Sequence, residues 1–187
     1  MRIVVASMGR CGSTALFNSL REQLGSEFQT VYLKEYRSHH FLDDNVNYLI
    51  KTHDVARNNR LTDSKVIYLF SSPYDVINSF LAQSKKFKVE GFPNFGFNDY
   101  KSDSQLLNFD GLNLEYNFES WYYSNNKVLF IHYDALFESA NQISLFLGRE
   151  ITLPKRVKRK TVIKFTPECY HRLNSFVLSL EKVFIND

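Results

Sequence analysis

Apolar residues along this chain fall into two kinds of pattern. Short unbroken runs, rich in β-branched residues, occur at 2–6 (RIVVA), 48–51 (YLIK), 65–70 (KVIYLF) and 127–133 (KVLFIHY), with a weaker one at 30–34 (TVYLK). A run of that length without polar alternation reads as a strand covered on both faces, the condition of a parallel sheet. Between the runs, apolar residues recur at helical spacing over Thr14–Leu24, Tyr74–Ser84, Leu114–Ser124 and Leu136–Leu147. Strands alternating with helices predict an α/β fold, a three-layer sandwich around a central, mainly parallel sheet.

Two stretches break the alternation. Residues 86–111 are punctuated by Gly, Pro, Asn and Asp between several Phe residues and read as one long loop, of the kind that usually serves a function. Leu153–Phe165 carries Lys155, Arg156, Lys158, Arg159 and Lys160. After it, the chain from Thr166 reads as a closing helix, with Thr166 as N-cap and Pro167 at the first helical position.

Length then limits the organisation: 187 residues with 44% hydrophobic composition suit a single domain over 1–187. Seventeen Phe and eleven Tyr predict a core or pocket rich in rings. A formal charge of only +3 gives no reason to expect a nucleic-acid partner; the 155–160 run is the sole feature pointing that way. No apolar run approaches the length of a membrane span, and the first residues enter a strand with no signal-peptide pattern, so a cytoplasmic location is expected. Cys11 and Cys169 lie far apart and read as free thiols, and neither they nor the adjacent His39 and His40 have metal-ligand spacing.

The chemistry begins where the first strand ends. SMGRCGST, residues 7–14, places Gly9 and Gly12, the cation of Arg10 and the hydroxyls of Ser13 and Thr14 between a strand and a helix. Such a turn lets the backbone approach an anion and aims N–H groups and the positive helix end at it. Cys11 sits in the same loop, where a helix N-terminus would favour a thiolate, although a small residue chosen for size is the simpler reading. The mononucleotide loop GxxxxGK[ST] needs four residues between its glycines and a lysine after the second. Here two residues intervene and Ser13 stands in the lysine position, which argues against a small kinase.

Two later segments corroborate the anion reading: LIKTHDVA (49–56) and KVIYLFSSPYDVINSF (65–80). In this order the three motifs resemble the sulfotransferase family that uses 3'-phosphoadenosine-5'-phosphosulfate (PAPS), and VLFIHYDAL with ISLFLG extends the resemblance to about Gly148. The resemblance implies a P-loop-like fold of sulfotransferase type. It implies that Gly9, Arg10, Cys11, Gly12, Ser13 and Thr14 hold the phosphosulfate, and that KTH supplies Lys51 as a nearby cation and His53 as the base. It also implies that Ser79 binds the 3'-phosphate, with no metal required.

The sequence departs from the family pattern at Ser71, where the family has an arginine against the 3'-phosphate. Arg156 and Arg159 in the late basic run are candidates to compensate. Glu35, after the second strand, is a rival base, because other branches of the family use a carboxylate in that region. The implied function is transfer of a sulfuryl group from PAPS to a hydroxyl acceptor, a saccharide or a small molecule. The alternatives are a small P-loop kinase and a sulfotransferase-like protein that binds the nucleotide without transfer. Phe87, Phe92, Phe95 and Phe97 are candidates to line the acceptor pocket or to anchor their loop. Trp121 reads as core.

Overall fold

The computed structural model describes residues 1–33, 42–56, 64–91, 100–156 and 164–186. Its strands are β1 Arg2–Ser7, β2 Gln29–Leu33, β3 Tyr48–Thr52, β4 Ser64–Phe70, β5 Val128–His132 and β6 Val183–Ile185. Among the described residues they form one sheet in the order β2-β3-β1-β4-β5-β6. The first five pair in parallel and β6 runs antiparallel to β5. In β1, Ile3, Val4, Val5 and Ala6 are all fully buried; successive side chains point to opposite faces, so both faces of the sheet centre are covered.

The helices are α1 Ser13–Leu24, α2 Pro73–Leu81, α3 Lys85–Gly91, α4 Ser104–Leu107, α5 Leu114–Tyr122, α6 Ala140–Leu147 and α7 His171–Ser179. α1 packs on β1 and β3. Phe118 of α5 meets the rings of Tyr68, Phe70 and Phe130, and Phe176 of α7 meets Phe118. Leu129, on the opposite face of β5, borders α6 residues Gln142, Leu145 and Phe146. The architecture is the α/β arrangement predicted from the patterns, a mostly parallel sheet flanked by helices, and most of the aromatic residues in it serve the core.

Three expectations are corrected. The 86–111 stretch is not a loop throughout, because it contains α4 and all of α3 but its first residue. The helical pattern at 136–147 divides into a 3₁₀ turn, Leu136–Glu138, and α6. The closing helix does not begin at Thr166: Pro167 is extended (φ −60°, ψ 135°) ahead of a 3₁₀ turn at Glu168–Tyr170. α7 follows, and the chain then returns as β6. The helix starts late because Asn78 clamps the preceding chain, its Oδ1 accepting from the N–H groups of Lys164 (2.8 Å) and Phe165 (3.0 Å) and its Nδ2 donating to the Phe165 carbonyl (2.7 Å).

No described helix is long and apolar enough to cross a membrane.

Candidate active site

The parallel strands β1, β3 and β4 end side by side, where open α/β sheets gather ligands. Beyond Ser7 the chain turns through Gly9 (φ 85°), Arg10 (φ 54°) and Gly12 (φ 84°) before α1 begins. At Gly12 a Cβ would lie 2.8 Å from Leu136 Cδ2 and 3.0 Å from the Tyr133 ring. The residue therefore needs glycine twice, for its left-handed backbone and for the closeness of its neighbours. Gly12→Ala is expected to cost about 2 kcal/mol, or roughly 4–8 °C in Tm for a domain of this size. A thermal melt checks it, and an unchanged Tm would mean that the loop does not need this conformation.

Arg10 projects from that turn and is held from two sides. Its Nε donates to Ser79 Oγ at 3.1 Å, and its guanidinium lies 5.4 Å from the centroid of the Phe87 ring. Cys11 is fully buried, with Sγ donating to the Gly9 carbonyl at 2.9 Å, so it braces the loop. Neither Cys11 nor Cys169 is in a disulfide.

β3 brings the KTH residues to the same place. Lys51 pairs in register with Tyr32 on one side and Val5 on the other. Its ammonium donates to Thr14 Oγ1 at 2.7 Å and lies 5.6 Å from the Tyr32 ring centroid; burial lowers its pKa. His53 Nδ1 is 2.9 Å from Ser7 Oγ and 3.3 Å from the Ser7 carbonyl. Gly9 N–H also donates to Ser7 Oγ, at 3.1 Å, so Ser7 couples the anion loop to the histidine. Burial, then the charge of Lys51 and more weakly that of Arg10, lowers the His53 pKa to about 4, against a smaller opposing effect of the Ser7 carbonyl. The imidazole is therefore neutral at physiological pH.

α5 holds the chain on which His53 sits. Asn117 Nδ2 donates to the His53 carbonyl at 2.8 Å, while Tyr68 donates its hydroxyl to Asn117 Oδ1 at 2.6 Å. Trp121 is fully buried and its indole N–H donates to the Asp54 carbonyl at 3.0 Å. Trp121 is thus core, as its sequence context suggested, and also a clamp.

These elements enclose a cavity of about 580 Å³ whose lining includes Arg10, Gly12, Ser13, Thr14, Lys51 and His53. Tyr32, Phe87 and Glu90, of which only Phe87 stood out in the sequence, line it too. Two cations, two hydroxyls and the start of a helix suit a multiply charged phosphate or sulfate ester. Among the described residues no cluster of three or more His, Cys, Asp or Glu is placed to hold a metal.

Other candidates lie around this cavity. Ser79 is buried and engaged by Arg10. Ser71 is buried at the end of β4 and does not line the cavity. Its neighbour Ser72 caps α2, accepting from Tyr74 N–H at 3.2 Å. Arg156 pairs with Asp134 at 2.7 Å and stacks on Tyr133, the ring packed against Gly12. Glu35, His39, His40, Phe92, Phe95, Phe97, Lys158, Arg159 and Lys160 lie outside the described residues. Asn78, Asn117 and Ser7 were not singled out in the sequence, since none belongs to a recognised catalytic pattern.

No protein-family model matches the chain, and the comparison with curated proteins also finds no match. Among solved structures, mouse sulfotransferase SULT7A1 complexed with PAP superposes with a TM-score of 0.53 at 18% identity, over 81% of this chain and 59% of that one. The fold is a sulfotransferase fold. In this sulfotransferase fold the chain spans about three fifths of the length of the mouse protein, and the cavity lies at the end of the sheet where the strand-to-helix turn of β1 and α1 opens.

Proposed function

We propose that this chain is a sulfotransferase that moves a sulfuryl group from PAPS to the hydroxyl of a saccharide or small-molecule acceptor. The observation that carries this reading is the convergence of Arg10, the first turn of α1, Lys51 and a neutral His53 on one cavity. PAPS, when bound, supplies an electrophilic sulfuryl group on a phosphate leaving group. Gly12 lets the backbone come close to that phosphate, and Ser13 and Thr14 add donors. Arg10 and Lys51 place positive charge where negative charge grows on the leaving oxygen. Lys51 is positioned for this by Thr14, and Arg10 by Ser79 and Phe87.

His53 accepts the proton of the attacking hydroxyl. With its proton on Nδ1, the ring donates to Ser7 and keeps a lone pair on Nε2 for that purpose. Glu35 is the rival base. Ser79, Arg156 and Arg159 are the residues assigned to the 3'-phosphate. Ser71, which stands where the family has an arginine, is buried outside the cavity lining, so Arg156 and Arg159 supply the charge that it lacks.

The test is a titration with 3'-phosphoadenosine-5'-phosphate (PAP), run beside adenosine 5'-phosphate and beside ATP with magnesium. PAP is expected to bind at least about tenfold more tightly than the nucleotide lacking the 3'-phosphate, the effect of one charge-assisted hydrogen bond. Equal affinities, or a preference for ATP, would overturn the reading in favour of another phosphate ligand.

A further inference from the structure

Phe87, Glu90 and Gly91 all line the cavity, and their i, i+3, i+4 spacing sets them on one face of α3. The rotation of this short helix is fixed from another side. Lys88 is 7% exposed, and its ammonium donates to Asp103 Oδ1 at 2.8 Å. Phe80 of α2 meets Phe87 edge-on, with centroids 6.2 Å apart. With Lys88 turned toward Asp103 and Phe87 seated between Phe80 and Arg10, Glu90 is delivered to the cavity rim.

Glu90 is the one carboxylate among the described residues that line this cavity. Its ion pair with Lys86, 3.8 Å long between side chains 84% and 65% exposed, is weak in water and readily exchanged for a ligand. A carboxylate repels the phosphates and the sulfuryl group of the donor, so its electrostatics fit the other reactant. It accepts hydrogen bonds and donates none. What satisfies it is a hydroxyl or an ammonium group, and what it rejects is another acid. Phe87 and Tyr32, 38% and 42% exposed, offer ring surface in the same cavity to the C–H face of a compact ring.

Resting on the sulfotransferase reading, we infer that Glu90 determines acceptor specificity. The α3 wall takes a polyhydroxylated acceptor with a second donor group, hydroxyl or ammonium, bonded to the Glu90 carboxylate. Acceptors carrying an acid at that place are turned away.

Three probes matched at C6 test this: phenyl glucoside, phenyl 6-amino-6-deoxyglucoside and phenyl glucuronide, each assayed with sulfur-labelled PAPS on the wild type, E90Q and E90K. The wild type is expected to prefer the better of the first two over the glucuronide by about tenfold or more in kcat/KM. E90Q should shrink that preference to about threefold or less, and E90K should invert it. The ratio of the 6-amino glycoside to the glucoside tells an ammonium partner from a hydroxyl. A preference unchanged in E90Q overturns the inference. So does a gain in PAP affinity in E90Q as large as the acceptor effect, because it would put the carboxylate beside the donor.

If the wild type transfers to none of the three, their equilibrium binding to the PAP-bound protein makes the same comparison, and binding of none overturns the inference. Failure of the wild type to bind PAP is a different result, which removes the sulfotransferase reading itself.

Discussion

His53→Ala is expected to lower turnover by about 10²- to 10⁴-fold, the usual range for a lost general base, while PAP affinity stays within about threefold because a neutral ring is removed. The pH dependence identifies the group. Burial and the neighbouring Lys51 charge hold the free-enzyme pKa at about 4 instead of 6.5. Donor kcat/KM should therefore fall only as the pH drops through about 4 and stay level above it. Phosphate charge next to Lys51 and Arg10 offsets their repulsion of an imidazolium, so the acid limb of kcat should lie at higher pH than that of kcat/KM. Stability carries the same signature. The folded pKa lies below the unfolded one, so the unfolded chain binds more protons between the two values. The contribution is complete above about pH 6.5 and is lost as the pH falls toward 4. Urea melts across that window should be flatter in His53→Gln than in the wild type. Glu35→Ala is the matched control: full turnover in the His53 variant with loss in the Glu35 variant would transfer the role of base, and full turnover in both would sink proton abstraction by either.

The parts of this molecule that were legible in the sequence are those fixed by local pattern. RIVVA and KVIYLF could hardly be anything but buried strands, since no polar residue interrupts them. Arg10, Lys51 and His53 were found because each lies in the last residues of such a strand or just past its end, in a recognisable order, and the structure brings all three to one cavity. β6 was missed for the opposite reason. The residues of VFI continue the apolar spacing of the preceding helix, and what makes them a strand is distant: Phe184 stacks on Phe130 with centroids 4.8 Å apart. Thr166 and Pro167 formed a sound local cap signal that lost to three hydrogen bonds from Asn78, 86 and 87 positions away from their partners. Glu90 was hidden because KKFKVEG is too short and too charged to display a helical stripe; the face it presents exists only once Lys88 has found Asp103. The roles of Asn117 and Ser7 also depend on which strand end meets which helix.

Arg10→Ala should reduce kcat by about 10²- to 10³-fold, the typical loss of one donor aimed at developing charge, and weaken PAP by about tenfold or more. The side chain carries a fixed charge on a backbone at φ 54°, which directs it away from the path of α1 and toward α2 and α3. There Ser79 Oγ receives Nε at 3.1 Å, and the Phe87 ring supports the guanidinium plane. Both contacts depend on a planar group that can donate from Nε and stack at once, and an ammonium cannot do both. Arg10→Lys therefore separates charge from shape: it should restore most of the PAP affinity but leave kcat at least about tenfold below the wild type. A lysine variant with wild-type kcat would mean that charge alone suffices and that the Ser79 and Phe87 contacts do not position the group. A variant deficient in both parameters to the extent of alanine would mean that Arg10 acts on the phosphate through its fork geometry before any bond to sulfur breaks.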